Sequence, residues 1–106
     1  MESMSEHYNL IVSENAWNDI YSYIDYITYT CDAAKTGKKH YDELLALLGK
    51  IEQYPEANAI RYSASLLQYG FNVRRANFKK MTFIYTINKN TVYVHRFVAQ
   101  SMITGL

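Results

Sequence analysis

The order of hydrophobic periods along this chain implies an α+β domain, a β-α-α-β-β-β array with a helical hairpin packed on one face of a mostly antiparallel sheet. Three observations carry that reading. Two stretches of helical period occupy the first half of the chain. Three runs of period two follow residue 66. A short apolar, β-branched segment precedes them all. With 106 residues, the whole chain (1–106) is read as a single domain, large enough for a modest core but not for two. Residues 1–7 are expected to be a flexible N-terminus, and Gly105-Leu106 to fray.

Tyr8-Asn-Leu-Ile-Val-Ser13 reads as the first strand. Ser13 then suits a helix N-cap, with Glu14 and Asp19 early in the helix, where the dipole favours acids. Trp17, Ile20, Ile24 and Ile27 recur at spacings of three and four. Fraying is expected around Thr28–Cys31, where β-branched and aromatic residues crowd. Asp32 is the expected cap of a second helix, whose stripe is Tyr41, Leu44, Leu45, Leu48 and Ile51. Tyr54-Pro55 ends it, because the residue before proline is pushed out of the α region. So short a join makes the two helices an antiparallel hairpin.

Ala57 to about Ser65 has no clear period and reads as loop. Leu67, Tyr69, Phe71 and Val73 then alternate with Gln68, Gly70, Asn72 and Arg74. Met81, Phe83, Tyr85 and Ile87 alternate with Thr82, Ile84 and Thr86, and Val92, Val94 and Val98 with Tyr93, His95 and Phe97. These runs are three expected strands. Asn77–Lys80 and Asn88-Lys-Asn-Thr91 are the expected turns, the second because Asn tolerates positive φ.

Charge divides at Glu56. Residues 1–56 hold all ten acids against four Lys, whereas residues 57–106 hold Arg61, Arg74, Arg75, Lys79, Lys80, Lys89 and Arg96 and no acid. The sheet face away from the helices, or its rim, is therefore expected to be open and basic, and to meet an anion. Arg74 and Arg75 point to opposite faces of a strand. With Lys79, Lys80 and Arg96 they are candidates for cradling phosphates or an acidic partner. Tyr69, Phe71, Tyr85 and Tyr93 are candidate stacking surfaces. His95 is the one histidine placed to act as acid or base, with Arg96 expected to hold it neutral. Most of the eleven tyrosines are expected at the core rim, where a ring with a polar tip fits.

Other classes find no support in the residues. The first residues carry acids and no apolar run, unlike a secretory signal, and no run is long enough to span a bilayer. The expected setting is cytoplasmic. Cys31 stands alone, so no internal disulfide or cysteine-based zinc site is possible. His7, His40 and His95 show no ligand spacing, and no metal or other cofactor is expected. There is no phosphate-binding glycine loop and no recognisable nucleophile motif.

Ser13-x-x-Ala16-x-x-Asp19-Ile20-x-x-Tyr23-Ile24 resembles the first helix of the RelE/ParE superfamily of bacterial toxins, the plasmid stabilisation system family. The similarity continues through Ala34, the Leu-rich second helix and Tyr54-Pro55. It then takes in Gly70-Phe-Asn-Val-Arg74, Phe83-Ile-Tyr85-Thr-Ile87 and Val92-Tyr-Val-His-Arg96, and so spans Tyr8 to Met102. The resemblance implies a small α+β fold and a type II toxin held inactive by a cognate antitoxin. RelE-like members cleave messenger RNA on the ribosome with basic residues of the sheet. ParE-like members poison DNA gyrase without nuclease chemistry.

Two departures from the nuclease pattern favour the ParE-like side. Thr82 stands where RelE-like toxins tend to carry Arg. The tail Gln100-Ser-Met-Ile-Thr-Gly-Leu106 lacks the expected Arg with Tyr or His. Each lost cationic donor is worth roughly 3 kcal/mol of transition-state stabilisation. On this resemblance the catalytic candidates are Arg75, His95 and Arg96, and the target- or antitoxin-binding candidates are Arg74, Arg75, Lys79, Lys80, Tyr85 and Arg96. A ribosome-dependent endoribonuclease is the alternative. A non-toxic relic that keeps only the antitoxin surface is a second one.

Overall fold

The computed structural model describes residues 8–103. The expectations for residues 1–7, with His7, and for Gly105-Leu106 fall outside the described residues. The chain begins with strand β1 (Asn9–Val12) and passes at once into helix α1 (Glu14–Asp25). Ser13 is extended, at φ −63° and ψ 160°, and its Oγ accepts the Ala16 N–H at 2.9 Å. The same hydroxyl donates to the carbonyl of His95 at 2.8 Å, so the cap also ties the helix to the last strand.

The expected fraying after α1 is instead an ordered π turn, Tyr26–Thr30, with the Cys31 N–H on the Tyr26 carbonyl at 3.0 Å. Asp32 does not cap the second helix. It adopts φ +51° to reverse the chain, a conformation that Asp tolerates, and an N-cap must be extended. Ala33 takes the N-cap position with no side-chain hydrogen bond. Helix α2 (Ala34–Gln53) then returns against α1. Gly37 makes this possible, since any Cβ there would collide with Thr28 Oγ1. Pro55 starts a 3₁₀ turn, Pro55–Ala57, and so ends α2 as expected.

The strands β2 (Arg74–Phe78), β3 (Met81–Asn88) and β4 (Thr91–Ala99) complete a four-stranded sheet in the order β1-β4-β3-β2. β1 runs parallel to β4, and the other pairs are antiparallel. The strand expected from Leu67 to Arg74 is not one. Ala64–Tyr69 is a 3₁₀ segment, and Gly70 at φ +126° breaks the extended chain after it. Leu66 and Tyr69, three apart, face inward, while Leu67 and Phe71 are 49% and 86% exposed. An alternation of bulky residues there reflects no pleat. Both hairpins turn where expected, but Lys79 and Lys89, not Asn, take positive φ.

Ala16, Ile20, Leu44, Leu48 and Ile51 pack on Ala76, Phe78, Phe83, Tyr85, Val92, Val94 and Phe97 to form the core between helices and sheet. The far face is not open. Leu66 and Val73 bury Ile84 there, with Tyr69, Val98 and Ile103 at the margin. The tyrosines also differ from expectation: Tyr21, Tyr26, Tyr29, Tyr54, Tyr62 and Tyr93 are exposed. Leu and Ile fill the helix stripes, so Tyr21 is left outside, stacked on Trp17 at 5.7 Å.

Replacing Ser13 by Ala should cost about 1–2 kcal/mol, from the lost cap and the lost bond to β4. Urea denaturation measures this. A loss below about 0.5 kcal/mol would mean that neither bond matters to stability.

Candidate functional site

A bulge in β4 builds the site. Tyr85 pairs with Val94 and Ile84 with Arg96, so His95 is an extra residue opposite no partner. Val94 and Phe97, three apart, can then both face the helices. His95 and Arg96 are left to meet the 3₁₀ segment, where Tyr69 lies over the His95 ring at 5.2 Å.

Arg96 is forked onto Asp19 of α1, Nε to Oδ2 at 2.6 Å and Nη2 to Oδ1 at 3.0 Å. The Phe97 N–H donates to the same Oδ2 at 3.0 Å. That hydrogen bond from Arg96 to Asp19 holds the guanidinium above its usual value. Its charge is thereby largely matched inside the fold. His95 is indeed biased to the neutral form, but burial is the cause, not Arg96. Its Nε2 shares a hydrogen bond with Thr86 Oγ1 at 2.8 Å.

Arg75 lies in register with Ile84, which lies in register with Arg96, so the three form a row across the far face. Burial first, and then the charge of Arg61, pull the Arg75 guanidinium down from its usual value. Arg75 Nε is buried and, among the described residues, has no hydrogen-bond partner. Arg61 sits in the segment read as loop, bonded through its N–H to the Val73 carbonyl at 2.7 Å. Among the described residues no acid pairs with either guanidinium, and two neighbouring cations with an unsatisfied donor can accept an anion.

The remaining candidates lie elsewhere. Arg74 is on the helix side, its Nη1 on the carbonyls of Glu56 and Asn58. Tyr85 is 0% exposed, its hydroxyl donating to the Pro55 carbonyl at 2.6 Å and accepting from Asn58 at 3.2 Å. Lys79 and Lys80 form the β2–β3 turn, with Lys79 Nζ 3.6 Å from Glu43 and 5.5 Å from the Phe78 ring centre. Of the stacking candidates, Phe71 and Tyr93 are exposed, and Tyr69 is engaged with His95. Sequence reasoning missed the partners: Asp19, Arg61 and Thr86. Asp19 lies 77 positions from Arg96, and only its place in the first-helix motif marked it.

The arrangement can bind an anion at Arg61 and Arg75. The His95 imidazole, biased to the neutral form by burial, lies two strands away with Tyr69 over its ring and Thr86 on Nε2. Among the described residues no group of His, Cys, Asp or Glu could hold a metal ion, and no helix is long and apolar enough to cross a membrane.

Asp19→Asn should cost about 2 kcal/mol, the value of charge-assisted bonds in a partly exposed setting, measurable by denaturation. A fully stable variant would show that Arg96 does not need the carboxylate. pH supplies a second check. The folded pKa of His95 lies below the unfolded 6.5, so the unfolded chain takes up the proton first as pH falls. The stability from neutral His95 is whole above about 6.5 and is lost as pH drops through the folded value. His40, lowered by burial and then by Lys79, acts with the same sign. His95→Gln should flatten part of the fall in thermal midpoint between about pH 7 and 5; an unchanged profile would assign the dependence elsewhere.

No protein-family model matches the chain, and no curated protein does. Among solved structures, a chain of the chromosomal ParDE TA system from P. aeruginosa superposes with a TM-score of 0.70. The match covers 90% of this chain and 98% of that one, at 14% sequence identity. The similarity is one of fold: this chain has the RelE/ParE toxin fold.

Proposed function

We propose that this protein is the toxin of a type II toxin–antitoxin pair, a growth inhibitor neutralised by a cognate antitoxin, and that it works by binding in the ParE manner, with DNA gyrase as target. The carrying observation is the Asp19–Arg96 fork. Arg96 is the cation next to His95, and its guanidinium is already engaged by a carboxylate. A nuclease of this fold needs free cations around a base to stabilise the scissile phosphate. Thr82, where that pattern carries Arg, is fully buried and bonded to the Ala76 carbonyl at 3.3 Å. The solved chain with the same fold belongs to a system named ParDE, which supports the same side. The site of action is the cytoplasm, where gyrase works.

One observation favours the nuclease reading: Arg75 and the neutral His95 belong to the same face, so a base and a cation are both present. Expression without a partner separates the readings. The gyrase reading expects growth arrest, DNA-damage signalling and blocked supercoiling by the purified chain. Supercoiling that proceeds normally sinks it. The ribonuclease reading expects messenger RNA cleaved on translating ribosomes, and relief of toxicity by Arg75→Ala, His95→Ala or Arg96→Ala. Absence of any growth arrest would leave only a binding relic of the fold.

A further inference from the structure

The segment between α2 and β2 closes on itself. Ile60 meets Arg74 in an antiparallel bridge, and the Arg61 N–H donates to the Val73 carbonyl at 2.7 Å. Residues 62–72 therefore form a loop with its ends together, a shape that often carries function. The loop is anchored from beneath. Leu66 and Val73 are fully buried with Ile84. The Leu66 N–H donates to the Ser63 carbonyl at 3.0 Å, and the Gly70 N–H to the Leu67 carbonyl at 3.1 Å. Asn72 Nδ2 donates to the Ile87 carbonyl of β3 at 3.0 Å. Tyr62, Leu67 and Phe71 nevertheless stay exposed, and Phe71 is the most exposed large hydrophobic residue among those described. Its backbone is fixed on both sides, by Gly70 at φ +126° and by the tethered Asn72. A lone exposed ring needs no explanation, but three apolar side chains on one anchored loop do. Arg61 stands at the closure, near enough to Arg75 to act on its charge, and no Asp or Glu follows Glu56.

We propose that this loop is the surface by which the toxin holds its target: a protein face with an apolar recess for Phe71 and Leu67, ringed by carboxylates that answer the charges of Arg61 and Arg75. It rests on the toxin reading, which makes that protein DNA gyrase. A ring held outward before binding loses little freedom on entering a recess, so Phe71 is placed to be the anchor. The surrounding cations set the partner's sign and speed the encounter. Other occupants use the loop less fully. An anionic bilayer needs more than two cations and a few side chains to retain a protein, and it would repel the acid-rich first half of the chain. A single-stranded nucleic acid could stack on Tyr62 and Phe71 but would leave the aliphatic Leu67 unused. A second copy, meeting the same loop about a two-fold axis, would set Arg61 against Arg61.

The test uses the full chain with Phe71→Ser, Leu67→Ser and Arg61→Glu, and with Tyr21→Ser on the outer side of α1 as control. All four side chains are exposed, so thermal unfolding should show each variant folded. On expression, the unaltered chain and Tyr21→Ser should arrest growth, and Phe71→Ser should not. Purified Phe71→Ser should bind gyrase about thirtyfold more weakly, the loss expected of a central aromatic anchor, and block supercoiling correspondingly less. Leu67→Ser should weaken binding in the same direction. Arg61→Glu should weaken it more at low salt than at high. Loop variants that fold and still arrest growth overturn the loop assignment and leave the toxin reading standing. So does an equal loss in Tyr21→Ser. Arrest with supercoiling untouched removes gyrase as the target, and the arrest alone then decides the loop. An unaltered chain that causes no arrest removes the toxin reading and the proposal with it. Binding that depends on Phe71 to vesicles of phosphatidylglycerol and phosphatidylethanolamine, to a single-stranded oligonucleotide or to a second copy of the chain gives the loop another occupant and overturns the proposal.

Discussion

The Asp19 carboxylate accepts three hydrogen bonds at once, two from Arg96 and one from the Phe97 amide. β1 has four residues and ends opposite Val94, so β4 runs on with no strand on that side. Side chains of α1 and its cap take over there. Ser13 reaches the His95 carbonyl and Asp19 the Phe97 N–H, finishing the ladder that β1 begins. Charge-assisted bonds of this type are worth about 1.5–3 kcal/mol, more than a surface ion pair. They also fix the rotation of α1, so that Ala16 and Ile20 meet the sheet. An uncovered half-edge would be a template for another chain, and a carboxylate in strand position removes it.

The seven cations after residue 56 have unequal fates. Arg74 serves backbone carbonyls, Arg96 serves Asp19, and Lys79 approaches Glu43. The basic half is thus less free than its formal charge. What remains concentrated is Arg61 with Arg75, on one rim of the far face. Desolvation makes the Arg75 guanidinium costly to hold without an anion, whereas Arg61 and the exposed lysines cost little to leave solvated. Burial of its Nε, rather than charge count, sets Arg75 apart from the other cations.

Much of this was legible in the sequence. Ser13 as cap, Pro55 as stop and the two hairpins rest on local chemistry, and local chemistry survives folding. The errors arose where tertiary contacts decide. Leu66 and Tyr69 follow the three-residue repeat of a 3₁₀ turn, which the alternation of Leu67, Tyr69, Phe71 and Val73 disguised. Asp32 looked like a cap because Asp is a good one; the π turn before it demanded a left-handed residue instead. The bulge at His95 left no trace in the pattern, because Tyr93, His95 and Phe97 read as a regular alternation. Arg75 and Arg96 were both legible as candidates, but the carboxylate that engages one of them lies 77 positions away.

The parallel pairing of β1 with β4 also governs how the chain assembles. β2, β3 and β4 meet through two-residue turns and can zip locally. β1 cannot join them until the last strand exists, since Ser13 and His95 are 82 positions apart. Closing a loop of that length costs about 4 kcal/mol of chain entropy beyond the fixed term. Loop closure therefore makes the pairing of the N-terminal strand entropically costlier than that of the two hairpins. Until that strand pairs, β4 presents an unpaired flank to its surroundings.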